Sequence, residues 1–348
     1  MHIVIATTQV PFVHGGAEVH AHNLVEAFRA AGHAAEIVAV PFKWYPPERI
    51  LDAMLACRLL DLTEANGRRI DRVIGLKFPA YLIPHPQKVL WILHQHRQAY
   101  EQWEGPLSDM VHYGNGREVR DAVRLADTRL IAESRAVYTN SRNVSGRLKE
   151  YCGLESTPLY HPPTNPDSFY CEEAEPYFFF PSRINASKRQ FLAVQALALV
   201  PGDSKLVFCG ESEDDAYFQK IQHEIRDSRL QKRVRFHGRV SEKEKLQLYA
   251  HCLGVVYPPY DEDYGYVTLE AMLSSKPVLT CTDAGGPLEF VRDDHSGYIA
   301  EPSAAALAKG MTQLLENRSR AAEIGRTGRQ DYLDKGISWE DVVEKLLA

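Results

Sequence analysis

Apolar residues along the chain cluster in short blocks, each followed by a polar turn and then by a stretch whose apolar positions recur at helical spacing. Residues 2–8 read as a buried strand. After Gly15-Gly16 a helix is predicted from about Ala17 to Ala31, with Val19, Leu24, Ala27 and Phe28 approximating the helical period. Further strands are predicted at Ala35–Val40, Arg72–Leu76, Val89–Leu93 and Ala136–Thr139. The alternation lapses at His161-Pro162-Pro163-Thr164-Asn165-Pro166, where the prolines forbid helix and favour an extended connection. A second series then begins, with strands predicted at Tyr177–Phe180, Leu206–Cys209, Val234–Phe236, Gly254–Tyr257 and Pro277–Thr280, and an amphipathic helix from Trp339 to Ala348. Strands that alternate with helices imply an α/β fold with parallel sheets, here two Rossmann-like domains, residues 1–165 and 166–330.

Length supports two domains, since 348 residues exceed what one hydrophobic core usually organises. Residues 1–165 hold 18 basic and 17 acidic side chains, and residues 166–348 hold 22 and 29, which is no nucleic-acid footprint. The six cysteines lie far apart without a C-x-x-C pair, so neither disulfides nor structural zinc are expected. No apolar run approaches the roughly 20 residues that span a bilayer, and Met1 leads straight into a strand pattern without a secretory signal. The expectation is a cytoplasmic protein, compatible with peripheral contact at the inner face of a membrane.

Parallel sheets bind ligands beyond the carboxyl ends of their strands, so the loops there carry the candidate chemistry. In Asp261-Glu262-Asp263-Tyr264-Gly265-Tyr266-Val267-Thr268-Leu269-Glu270 a glycine stands where a helix begins, and the free amides of such a terminus attract a diphosphate. Carboxylates at Glu262 and Glu270 cannot favourably face phosphate but accept strongly from hydroxyls, which suggests sugar hydroxyls on either side of the diphosphate. Glu270, among apolar neighbours, needs a hydrogen-bonding partner. Arg183 and Lys188, after the first strand of the second series, are two cations that could meet a phosphate. Asp261-Glu262-Asp263 also matches the D-x-D of metal-dependent transferases, but the adjacent glycine and second glutamate favour a metal-free site. No G-x-G-x-x-G follows a strand, which argues against a dehydrogenase.

Glu262 and Glu270 form the E-x7-E pattern, with Gly265 in its usual place, of glycosyltransferase family 4, and Asp283-Ala284-Gly285-Gly286-Pro287-Leu288-Glu289 is similar to the same family. The resemblance extends over essentially the whole chain and is most specific between residues 177 and 300. It implies a GT-B fold, two Rossmann-like domains facing across a cleft. The first would bind the acceptor and the second the nucleotide-sugar, and residues 331–348 would cross back to the first. The implied activity is transfer of a hexose from a UDP- or GDP-sugar to a glycan or lipid-linked sugar, with retention, without metal or other cofactor.

By the same resemblance Arg183 and Lys188 bind and stabilise the departing diphosphate, and His237, Gly238 and Val240 belong to the nucleobase loop. Gly265, Tyr266 and Val267 form the helix terminus under the diphosphate, and Gly15 and Gly16 approach it from the first domain. His94, with His96 as the second choice, stands near the reacting sugar, and Ser141 and Arg142 line the same cleft. Competing readings are a sugar-nucleotide epimerase or phosphorylase of related fold, and a non-catalytic nucleotide-sugar binder.

Overall fold

A computed structural model describes residues 1–13, 15–105 and 108–348. The chain divides into two units, Met1–Thr164 together with Ser338–Ala348, and Asn165–Ile337.

In the first unit the strands are β1 (His2–Gln9), β2 (Ala34–Pro41), a small hairpin of β3 (Glu64–Ala65) and β4 (Arg68–Arg69), then β5 (Arg72–Lys77), β6 (Lys88–His94), β7 (Ala136–Thr139) and β8 (Thr157–Pro158). Apart from the hairpin they form one parallel sheet in the order β2-β1-β5-β6-β7-β8. The helices α1 (Gly16–Ala30), α2 (Glu48–Leu59), α3 (Gly116–Leu130) and α4 (Arg142–Cys152) connect them. β6 is buried over Lys88–Leu93, the near-continuous apolar run of a strand covered on both faces.

In the second unit β9 (Tyr177–Pro181), β10 (Lys205–Cys209), β11 (Val234–Phe236), β12 (Gly254–Val256), β13 (Val278–Cys281) and β14 (Gly297–Ala300) form a second parallel sheet, ordered β11-β10-β9-β12-β13-β14. Between and after them run α5 (Gln190–Leu199), α6 (Asp215–Asp227), α7 (Glu242–His251), α8 (Tyr266–Leu273), α9 (Ala304–Glu316) and α10 (Arg318–Asp334). The chain winds outward from β9 in one direction, then restarts at β12 on its other side. The loops after β9 and β12 therefore part at a switch point, the place where such sheets bind ligands.

The last helix, α11 (Trp339–Leu347), belongs to the first unit, where Val342, Val343 and Leu346 join the core of β1, β5, β6 and α1. The expected boundary at residue 330 is corrected, because α10 runs unbroken to Asp334 and the division falls after Ile337. The helix is held at both ends: Ser338 Oγ accepts from the Asp341 amide, and the buried Arg72 guanidinium donates to the carbonyls of Leu346 and Leu347 at 3.2 and 2.9 Å. A cation on the last carbonyls satisfies orphan acceptors and complements the helix dipole.

Candidate functional site

In the second unit three loops converge on Lys188 and Glu262. The loop after β9 carries Arg183, Asn185 and Lys188. Asn185 Oδ1 accepts from the Lys188 amide at 3.2 Å and shapes the turn that presents Lys188. The Lys188 ammonium pairs with the Glu262 carboxylate and donates to the Tyr257 hydroxyl at 3.3 Å. Burial, and then the Glu262 charge, push Tyr257 well above the ordinary phenol range, so this hydroxyl stays protonated. Arg183 pairs with Glu213, which also accepts from Asn185 Nδ2 at 2.7 Å. That Arg183 pair is solvent-exposed and can exchange partners at little cost.

Gly265 is the N-cap of α8, with φ 85°, a left-handed conformation that a side chain would strain. It turns the chain from the acidic loop into the helix, whose first residues are Tyr266 and Val267. A second glycine, outside the sequence-based candidates, is as constrained: Gly210 after β10 has φ 134°, and a Cβ there would lie 2.1 Å from the Ser182 carbonyl. Its amide donates to the Gly238 carbonyl at 2.8 Å. The loop His237-Gly238-Arg239-Val240 is thereby fixed through backbone groups, while the His237 side chain is exposed beyond the end of β11.

Glu270, one turn inside α8, has the partners its burial demands: Lys245 Nζ at 3.0 Å and the Tyr249 hydroxyl at 2.7 Å, both from α7. A carboxylate offers about four acceptor positions, so about two remain for ligand hydroxyls. Sequence reasoning did not single out Lys245 or Tyr249, although their spacing of four puts both on one face of α7.

In the first unit, Gly15 caps α1 and its amide donates to Glu18 Oε2 at 2.8 Å, while Glu18 Oε1 pairs with Lys77 at 3.2 Å. Gly16 is the first residue of that helix. Lys77 ends β5 directly opposite His94, which ends β6. Glu18, Lys77 and His94 thus stand at the carboxyl ends of β1, β5 and β6, and neither Glu18 nor Lys77 was a sequence candidate. His94 Nδ1 donates to the Gln95 carbonyl at 2.7 Å, the tautomer that puts the neutral ring's lone pair on Nε2. His96 packs against Phe42 and Phe78, and burial pulls it down to about 4, so it is neutral at physiological pH. Ser141 does not line a cleft: it is fully buried as the N-cap of α4, its hydroxyl accepting from the Val144 amide. Arg142 follows it and is exposed.

The fold is that of the GT-B glycosyltransferases. The structure of Anabaena HepE in complex with UDP and glucose superposes with a TM-score of 0.74 at 17% identity, covering 99% of each chain. Sucrose-phosphate synthase from Thermosynechococcus elongatus gives 0.79 at 18%, covering 99% of this chain and 97% of that one. Residues 164–331 match the family model for glycosyl transferases group 1. The alpha-1,3/1,6-mannosyltransferase ALG2 of Dictyostelium discoideum is 26% identical over 46% of this chain and 42% of its own length. A poly(ribitol-phosphate) alpha-N-acetylglucosaminyltransferase of Staphylococcus aureus is 29% identical over 48% of this chain and 33% of its own. The matched stretch spans less than half of these curated relatives. Over residues 164–331, just under half of the chain, the similarity is thus to group 1 glycosyl transferases. Among the described residues no helix is long and apolar enough to cross a membrane.

Proposed function

We propose that the protein is a retaining hexosyltransferase of family 4 type, taking its sugar from a UDP- or GDP-sugar held by the second unit and passing it to a glycan or lipid-linked sugar held by the first. The observation that carries this reading is the Lys188–Glu262 pair beside the glycine-capped start of α8, at the switch point of the second sheet. A cation, a hydroxyl acceptor and a helix N-terminus within one loop cluster suit a sugar diphosphate and little else.

In this reading the diphosphate lies at the start of α8, with Lys188 and Arg183 turned toward it, while Glu262 accepts from hexose hydroxyls and Glu270 from the ribose. The bond between the anomeric carbon and the β-phosphate oxygen breaks, and the acceptor oxygen bonds to that carbon on the same face. The acceptor proton passes to the departing phosphate oxygen. Fixed positive groups aimed at the leaving group stabilise the charge that develops there, which takes the place of a divalent cation. His94, through Nε2, would accept from a hydroxyl of the reacting sugar. A protein at the inner face of the cytoplasmic membrane, touching it peripherally, would meet both substrates.

The test is turnover of UDP- and GDP-hexoses in the presence of chelator. Activity should persist in chelator, fall by about tenfold or more in Lys188→Ala, and fall in His94→Ala without loss of nucleotide affinity. Activity abolished by chelator and restored by manganese or magnesium would overturn the metal-free reading. A wild-type protein that epimerises or phosphorolyses its ligand would replace transfer altogether.

A further inference from the structure

The residue after Lys188 is also a cation, and it takes no part in the Lys188–Glu262 pairing. Arg189 sits at φ 61°, ψ 38°, in the left-handed region that non-glycine residues seldom occupy. This conformation aims its side chain elsewhere than that of Lys188. The Arg189 guanidinium donates two parallel hydrogen bonds to the Asp283 carboxylate, both 2.7 Å, and lies over the Tyr260 ring at 5.0 Å. Each contact reaches a different loop. Asp283 belongs to the loop after β13, and Tyr260 to the loop after β12.

The backbone ties the same three loops together. The Tyr260 amide donates to the Ser187 carbonyl at 2.8 Å, joining the β12 and β9 loops. The amides of Asp261 and Glu262 donate to the carbonyls of Asp283 and Ala284, both at 2.9 Å, and the Gly286 amide returns a bond to the Glu262 carbonyl at 2.8 Å. The Lys188–Glu262 pair therefore rests on a seam that the Arg189–Asp283 clasp closes with side chains in bidentate geometry. The hydrogen bonds to Asp283, and then its charge, raise the already high pKa of the guanidinium against partial burial, so the guanidinium is charged at every working pH.

We propose that Arg189 and Asp283 are positioning residues of the donor site, which hold the β9, β12 and β13 loops in the register that brings Lys188 to the diphosphate of a nucleotide-sugar. The proposal rests on the transferase reading above and adds residues to it. Neither residue touches the ligand; the clasp acts through Lys188. Glycine would hold this left-handed backbone without strain but would lose both contacts of the guanidinium.

Isothermal titration of UDP and GDP against the full chain tests this. Arg189→Gly removes the clasp while suiting the backbone, so its urea midpoint should equal or exceed that of wild type, yet its affinity for the preferred nucleotide should fall about tenfold. Asp283→Asn should show the same loss, because the arginine alone does not suffice. In a Lys188→Ala background, Arg189→Gly should cost nothing further, since the group it positions is gone. Affinity unchanged in Arg189→Gly, affinity retained in Asp283→Asn, or a full additional loss in the Lys188→Ala background would each overturn the proposal alone. A wild-type protein that binds neither nucleotide would overturn the transferase reading, and the proposal with it.

Discussion

Glu262 and Glu270 carry the same functional group in one motif but have different neighbours, Lys188 for the first and Lys245 with Tyr249 for the second. Their substitutions should therefore differ. Glu270→Ala should weaken free UDP or GDP and the intact nucleotide-sugar alike, by roughly ten- to a hundredfold, the worth of one hydrogen bond to a charged group. Glu262→Ala should leave the free nucleoside diphosphate unaffected or slightly tighter, because Lys188 loses its competing partner, while impairing the intact donor. Calorimetric titration of both variants with both ligands decides it, and equal losses for the free diphosphate would sink the assignment. The candidates Glu262, Gly265, Glu270, Arg183 and Lys188 could be singled out from the chain because charge and glycine in a turn are informative locally. Tyr249 and Lys77 were not, and Asp283 stood out only as part of a family-like stretch, since each gains its place from a partner distant in the chain, 21, 59 and 94 residues away respectively.

At the scale of elements, the strands of both sheets were legible as apolar runs, usually to within a residue, most clearly the central ones, whose burial on both faces leaves no polar alternation to confuse them. The two-residue β8 and the glycine-led β14 escaped notice, being too short to show a pattern. The amphipathic stretch from Trp339 predicted α11, but the pattern says nothing of the guanidinium at its far end. Removing that cap in Arg72→Met should destabilise the first unit by about 1.5–3 kcal/mol. All four tryptophans, Trp44, Trp91, Trp103 and Trp339, lie in that unit, so the fluorescence midpoint of urea unfolding reports on it specifically. A midpoint unmoved by the substitution would show the cap to be idle.

At the scale of the molecule, the first unit has a built-in sensitivity to acid. His20 and His161 are fully buried against Trp91 and Trp339, with ring centroids 4.4 Å apart for His20–Trp91 and 5.7 Å for His161–Trp339. Burial, and then the neighbouring His161, holds His20 well below the usual histidine range, and burial pulls His161 down to about 3. Below pH about 6.5 the unfolded chain binds protons at both rings and the folded unit does not, so stability falls as pH falls. Asp127 works in the opposite sense. Enclosed by Tyr81, Tyr100 and Gln95, it is raised by burial to about 6. Between its unfolded value of about 4 and that raised value, the folded unit holds a proton that the unfolded chain has lost. With His96, likewise held down by burial, three buried histidines outweigh the one carboxyl, so the unfolded chain carries a net excess of about two protons between pH about 6.5 and about 5. At about 1.4 kcal/mol per proton and pH unit, stability should drop by about 4 kcal/mol from pH about 7 to about 5. His161→Phe should remove about half of that slope in its acidic half. Equal tryptophan-monitored stability of the wild type at the two pH values would refute the account.

The order of hydrophobic and polar residues determined the α/β class, the strands and the loops that carry chemistry, because hydrophobic periodicity and glycine or proline punctuation act over a few residues. Tertiary structure alone decided which loops meet. In the second sheet the chain runs outward from β9 to β11 and then returns to lay β12 along the other side of β9, so Lys188 pairs with Glu262 across 74 residues of sequence. That meeting depends on strand order, which is settled only when the whole sheet is assembled and covered on both faces, and no local pattern around either side chain records it.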